Sequence, residues 1–436
     1  MKENATLKGL VRPDLANSSA ASNLTFNEQV KALIRSGRKV YHFAFGQSPF
    51  PIPECMTKAV QEYAHVHDYL PMVGIPELRE ELVKFHARYD NLSLSSDNFT
   101  VGPGSKELIF LVMATFNGDI LLPAPAWTTY MAQCRLAGKE PRVLEMKQAK
   151  GWKLAPETLE EAARQGGDGW KLLVLTSPGN PTGTCYTDDE LDALSSVCRQ
   201  QRIIVLSDEI YARLTFSRKH ASMAMHYPEG TILISGFSKW ASAGGWRLGY
   251  AHFPPSLRPL LEAVRNAASH TYSCAPAPMQ YGVAKALREN GNELDKYMTN
   301  CAKILQAAGD YCHRELASVG VDGCRSQAGY YFVPDFEVVR QGLRARGLTT
   351  GDHMTQAMLE EADVALMSTH PFLRPAEELT TRFCFVCFDG CSALRALDDL
   401  PSPSHHLSDD FLHKHCLPIV QGIQNLKEWV LKYRQE

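Results

Sequence analysis

Apolar positions along the chain follow two periods. Short apolar runs bounded by Gly, Pro, Asp or Ser occur at 120–122, 142–145, 172–176, 203–207 and 232–235, with 248–252 returning. These read as strands. Stretches with the helical period occupy 54–66, 75–89, 107–116 and 257–270, and the run from 99 to 106 passes from a strand into a turn. Alternation of the two patterns predicts an α/β domain with a mostly parallel sheet and helical crossovers. The amphipathic stretch 277–318 is too long for one globular helix and is expected to break at Asn290-Gly291.

The two ends of the chain read differently. Residues 1–25 are polar and predict an extended arm, followed by a helix at 27–36 ending at Gly37 and a short strand at 40–45. Beyond 318, strands are expected at 330–334 and 381–388, and helices at 337–346, 352–362 and 409–435. Residues 390–408 read as a loop-rich insertion. The organisation predicted is an arm and part of a small domain at 1–45, a large domain at 46–310, and a smaller α+β domain at 311–436. No internal repeat or low-complexity tract is present.

Composition narrows the class. A chain of 436 residues with 44% hydrophobic and 21% charged content is that of an ordinary globular protein with room for more than one domain. A net charge of −3 speaks against a nucleic-acid surface. No run reaches about 18 apolar residues, so no membrane helix is expected. The N-terminus has no apolar core of the kind that marks a signal peptide. Twelve cysteines are scattered through the chain. The closest set, Cys384, Cys387 and Cys391 in RFCFVCFDGC, alternates like a strand and has no second ligand pair, so free thiols are expected rather than a metal site. Reduced cysteines suggest a cytoplasmic protein.

Five turns carry chemistry. Lys239 follows the apolar run 231–235 directly, where a buried ammonium costs several kcal/mol and is pushed towards the neutral, nucleophilic amine. Arg247, after a Gly-rich turn, offers a planar fork suited to phosphate. Gly104-Ser105-Lys106 closes one strand and opens a helix, a site for an anion. SPGNPTG, holding Asn180, follows the strand LLVLT at the edge where parallel sheets bind ligands. Asp208, ending IIVLS, needs a cationic partner if buried, and Tyr211 lies one turn on. A nucleophilic amine, an anion cradle and a buried acid together suit pyridoxal 5'-phosphate (PLP). Taken singly, each has an ordinary structural reading as a turn, an N-cap or a surface charge.

The motifs DYLPMVGIPELRE, GPGSKE, LPAPAWTTY, SPGNPTG, SDEIY, GFSKWASAGGWRLGY and AGYYFVPDF occur in that order. From about Gly46 to Arg382 the chain resembles a class I/II aminotransferase of the aspartate aminotransferase superfamily, PLP fold type I. The resemblance implies a transaminase working by ping-pong half-reactions. Lys239 would form the Schiff base and carry the proton. Asp208 would pair with the pyridinium nitrogen, and Asn180 and Tyr211 with the ring hydroxyl. Trp127 would stack on the ring, and Gly104, Ser105 and Arg247 would hold the phosphate, helped by Ser238. Gly46 and Arg382 would take the substrate α-carboxylate. Tyr69 resembles the tyrosine that reaches the neighbouring subunit's phosphate, which implies a homodimer with shared active sites.

For an acidic substrate a second cation is needed. The stretch Ala268-Ser-His-Thr-Tyr-Ser273 lacks the arginine of the classical branch. Lys106 matches the lysine of the branch that resembles bacterial aspartate and prephenate aminotransferases. The expected donor is therefore aspartate or a similar amino acid, with 2-oxoglutarate as acceptor. Lys106 has a second reading as a support for the phosphate. An aromatic, kynurenine-type or alanine aminotransferase, a lyase of the same fold and a non-catalytic ligand sensor are the alternatives. Two stretches depart from the family pattern: 390–408, and Met367-Ser-Thr-His370-Pro-Phe372, where His370 either reaches the substrate or packs.

Overall fold

The computed structural model describes residues 10–12, 15, 22–400 and 407–435. Its centre is a seven-stranded sheet. The strands are β1 (Phe99–Gly102), β2 (Asp119–Ala124), β3 (Arg142–Glu145), β4 (Lys171–Thr176), β5 (Ile203–Asp208), β6 (Thr231–Gly236) and β7 (Gly249–His252). They lie in the order β1-β7-β6-β5-β4-β2-β3. The five from β2 to β6 are mutually parallel, while β7 runs antiparallel to both β6 and β1.

The continuous apolar runs of β4, β5 and β6 arise because helices cover both faces of the sheet. Leu172, Val174, Ile204, Leu206, Ile232 and Ile234 pack on one side with residues of the helices Ser105–Thr115 and Arg258–Thr271. Their neighbours Leu173, Leu175, Ile203 and Val205 pack on the other with Pro156–Gln165 and Asp188–Gln200. Alternate residues of one strand thus serve two cores.

The predicted break in 277–318 is present: helices Ala277–Glu289 and Gly291–Ala317 meet at Asn290. Other boundaries move. The helix expected at 27–36 spans Ser22–Arg35, so residues 22–25 are helical rather than extended, and most of the remaining arm lies outside the described residues. The strand at 40–45 shrinks to Tyr41–His42, which pairs in parallel with Val364–Ala365 and ties the N-terminal segment to the C-terminal third. The strand at 330–334 divides into Tyr331–Phe332 and Pro334–Asp335, and that at 381–388 ends at Cys384. Residues 390–408 are not simply loop. Gly390–Asp398 is a helix, started by Asp389, whose Oδ1 accepts from the amides of Cys391 and Ser392 at 3.0 and 3.2 Å. The predicted helix 409–435 is two, Asp409–His415 and Leu417–Gln435, parted where Pro418 disfavours a continuous helix.

In the C-terminal third, Thr381–Cys384 is the central strand of a three-stranded antiparallel sheet. Tyr331–Phe332 flanks it on one side and Met367–Ser368 on the other. That sheet carries Arg382 towards the C-terminal edge of the seven-stranded sheet. Among the described residues no helix is long and apolar enough to cross a membrane, and no metal-ligating cluster occurs. All twelve cysteines are free.

Candidate active site

The C-terminal ends of β2, β4, β5 and β6 open on one cavity of about 640 Å³. A loop from Gly46 to Ser48 and the strand of Arg382 close it from the other side. Ser105, Lys106, Trp127, Asn180, Asp208 and Tyr211 line it, as do Ser238, Lys239 and Arg247. The sequence motifs, spread over more than three hundred positions, meet here because parallel strands deliver their following turns to one sheet edge.

Lys239 sits just past β6. Its Nζ donates to the carbonyl of Gly46 at 3.3 Å. Burial, with the charge of Arg382 adding to it, brings the amine down to about 8. Asp208 ends β5, where burial raises the carboxyl to about 6. Hydrogen bonds from Tyr130 (2.6 Å) and the amide of Ile210 (3.2 Å) oppose that rise, as does the charge of Lys239. Tyr211 is fully enclosed. Burial and the nearby phenols of Tyr331 and Tyr330 push it well above 10, so it is an O–H donor across the working range.

The anion end is built from backbone. Gly104 caps the Ser105–Thr115 helix at φ +91°, and a Cβ there would meet Nη2 of Arg247 at 2.3 Å. Arg247 in turn donates to the carbonyls of Gly244 (2.8 Å) and Pro103 (3.1 Å), joining the two Gly-rich turns. A Cβ on Gly249 would lie 2.5 Å from the amide nitrogen of Ser105. The helix N-terminus, Ser105 and Arg247 thus form one electropositive cradle. Lys106 stands beside it, its Nζ 5.1 Å from the ring centre of Trp127, with its pKa lowered by burial and by Arg247.

Arg382 is 2% exposed. Its guanidinium lies between the rings of Phe372 (4.9 Å) and Tyr331 (5.2 Å), and Nη2 donates to the carbonyl of Ala44 at 2.5 Å. Nε has no hydrogen-bond partner, and neither has the buried Oδ1 of Asn180. Buried polar atoms of this kind point to a ligand. A phosphate cradle, a buried acid, an amine with a lowered pKa and an unpaired amide oxygen fit PLP.

A profile of the family described as aminotransferase class I and II matches residues 38–389. The chain belongs to that family. It is a PLP-dependent transaminase. It is similar to the aspartate aminotransferase of Geobacillus stearothermophilus, with 30% identity over 83% of this chain and 91% of the relative. A probable aspartate/prephenate aminotransferase of Aquifex aeolicus is 28% identical over 81% of this chain and 89% of its own. In fold, the chain resembles the Thermus thermophilus aspartate aminotransferase with maleate, at TM-score 0.80 and 23% identity, covering 95% of this chain and 99% of that one. An aromatic aminotransferase from Pyrococcus horikoshii gives TM-score 0.76 at 22% identity, over 93% and 98%.

Within the transaminase, two expected site residues stand apart. Gly104 shapes the cradle from behind the cavity lining, and Tyr69, 90% exposed, lies away from this cavity. His370 is turned to Asp352 at 3.4 Å and does not line the cavity; Phe372 of the same loop is what meets Arg382. Several lining residues were not foreseen from sequence. Tyr130 follows Trp127 by three residues on the Thr128–Leu136 helix, and only its contact with Asp208 reveals a role. Tyr331 belongs to the AGYYFVPDF motif and reaches Tyr211. Leu24, from the Ser22–Arg35 helix, and Ser48 and Ser242, bonded to each other at 2.6 Å, border the mouth.

Proposed function

We propose that this transaminase moves the amino group of L-aspartate or a similar acidic amino acid to a 2-oxo acid such as 2-oxoglutarate. The carrying observation is Lys106, a second cation on the lining of the cavity that also holds Arg382 and Lys239. Two carboxylates need two cations. The names of the Geobacillus and Aquifex relatives agree with this reading.

In this reading Ser105, Arg247 and the amides after Gly104 hold the cofactor phosphate, with Ser238 beside them. Trp127 would pack on the ring. Asp208, ionised above about pH 6, would balance a ring N–H cation. Asn180 and Tyr211 would hydrogen-bond the ring hydroxyl. When bound, PLP supplies an aldehyde that condenses with amines and a ring that takes up an electron pair from the substrate Cα. Arg382 and Gly46 hold the α-carboxylate and so orient the Cα–H bond. Lys239, with a pKa near 8, is divided between amine and ammonium at neutral to mildly basic pH, and takes and returns that proton.

In this reading the N-terminal segment to 45 joins the C-terminal third, as the pairing of Tyr41–His42 with Val364–Ala365 supports. Exposed Tyr69 suits a side chain that serves a second copy, in a homodimer with shared sites. Free thiols suit the cytoplasm.

The test is the visible absorption of the PLP-loaded protein before and after L-aspartate. Loss of the band with aspartate, and its return with 2-oxoglutarate, supports the reading. A band that responds only to aromatic or neutral amino acids keeps the transaminase and rejects the acidic substrate.

A further inference from the structure

The AGYYFVPDF motif places two adjacent tyrosines at the site, and the roles above use neither. Tyr331 is 2% exposed and lines the cavity. Its strand pairs with that of Arg382, Tyr331 facing Cys384, which fixes its ring against the guanidinium. Its hydroxyl is 3.0 Å from the hydroxyl of Tyr211 and 3.4 Å from the carbonyl oxygen of Gly46. A Cβ on Gly46 would sit 1.8 Å from that hydroxyl, so the loop approaches because residue 46 has no side chain.

Counting hydrogens gives this contact a direction. Each phenol has one proton to donate. The Gly46 carbonyl already has Lys239 Nζ and the hydroxyl of Tyr330, each at 3.3 Å, within reach. With PLP bound Lys239 would leave that carbonyl, but the Tyr330 hydroxyl stays within reach of it, and the Tyr331 hydroxyl is nearer to Tyr211 than to Gly46. Once Tyr211 gives its proton to an acceptor in the cavity, its own oxygen has a lone pair free for the Tyr331 hydroxyl 3.0 Å away.

We propose that Tyr331 is a positioning residue of the transamination: its hydroxyl donates to Tyr211, and so aims and strengthens the hydrogen bond that Tyr211 gives to the cofactor. The inference rests on the role assigned to Tyr211. Its ring has a separate duty, covering one face of Arg382. Removing only the hydroxyl separates the two.

The experiment uses the PLP-loaded enzyme and reads the pH midpoint of its visible absorption change, with kcat and KM for L-aspartate. A donor to the ring oxygen favours the form with more negative charge there, so weakening it moves the midpoint up. Tyr331→Phe is expected to raise the midpoint by about half a unit. It should lower kcat several-fold and leave KM within about two-fold, since the ring on Arg382 stays. Tyr331→Met, which also lacks the hydroxyl, gives the same direction of shift if the Phe variant folds poorly. Tyr330→Phe, which removes a hydroxyl that reaches Gly46 and also neighbours Tyr211 and Tyr331, is expected to move the midpoint less than Tyr331→Phe. Tyr211→Phe shifts it further, and adding Tyr331→Phe to that variant shifts it no more. An unmoved midpoint in both Tyr331 variants while Tyr211→Phe moves it overturns the inference and leaves the role of Tyr211 standing. So do additive shifts in the double variant, or an equal shift with Tyr330→Phe. If Tyr211→Phe itself moves nothing, the role of Tyr211 fails and the inference with it.

Discussion

Tyr130 donates a hydrogen bond of 2.6 Å to Oδ2 of Asp208, and both side chains are buried. The same hydroxyl lies 2.8 Å from that of Thr176, at the end of β4. Burial raises the Asp208 carboxyl to about 6, and the Tyr130 hydrogen bond is the first of the effects that hold it down. Tyr130→Phe is expected to push the carboxyl up by about one further unit. At pH 7 less of it is then ionised, and the acid limb of the pH–rate profile moves to higher pH. An acid limb at its original pH in the variant would count against Tyr130 as the support of Asp208.

Lys239 carries a stability consequence. Its folded pKa of about 8 lies below the ordinary 10.5. Between those values the unfolded chain holds a proton that the folded chain does not. The stability tied to this lysine is thus present above about 10.5 and lost as pH falls through about 8. Lys239→Met should therefore stabilise the cofactor-free protein at pH 7 by about 2–3 kcal/mol, with the difference narrowing towards pH 10. Urea midpoints of both proteins at the two pH values decide it. The same variant should bind PLP without transaminating.

Lys106 is placed between two duties, beside Trp127 and within the field of Arg247. Lys106→Ala should weaken the transition state for dicarboxylic substrates by about 2–4 kcal/mol, and that for monocarboxylic ones much less. Steady-state kinetics with aspartate and alanine make the comparison. Equal losses assign the lysine to the phosphate.

Arg374 secures the loop that departs from the family pattern. It is 8% exposed, pairs with Glu378 at 2.6 Å, donates to the carbonyl of Met146 at 3.3 Å and covers Trp152. Two residues before it, the carbonyl of Phe372 accepts from the amide of Ala126 at 3.0 Å, beside Trp127. Arg374→Met should cost about 2 kcal/mol of stability and raise KM for carboxylate substrates several-fold, because Phe372 no longer fixes Arg382. Thermal denaturation together with KM measures both; an unchanged KM in a destabilised variant limits Arg374 to a structural part.

Much of this protein was written in local pattern. The runs of β4, β5 and β6 are apolar because both faces are covered, and their C-terminal ends and the turns after them carry Asn180, Asp208 and Lys239 at fixed distances along the chain. Those distances are set by chain geometry over a few residues, so the sequence alone determined the α/β sheet, the Lys239 turn and the Gly-rich turn into the Ser105–Thr115 helix. The same logic placed the break at Asn290.

The contacts across long separations were decided by the tertiary structure. Tyr130 reads as an ordinary helix residue until β5 brings Asp208 to it. Tyr331 and Gly46 are neighbours only because the sheet of Arg382 packs over the Gly46 loop. His370 was expected near the substrate or packed, and the fold turned it to Asp352 while Phe372 took the place on Arg382. The helix at Gly390–Asp398 was hidden within the stretch 390–408, read as a loop-rich insertion, because Asp389 is revealed as its cap only by the amides of Cys391 and Ser392 turning to it. Each outcome depends on which segments meet in the folded chain, and hydrophobic period along one segment carries no record of the segment it will face.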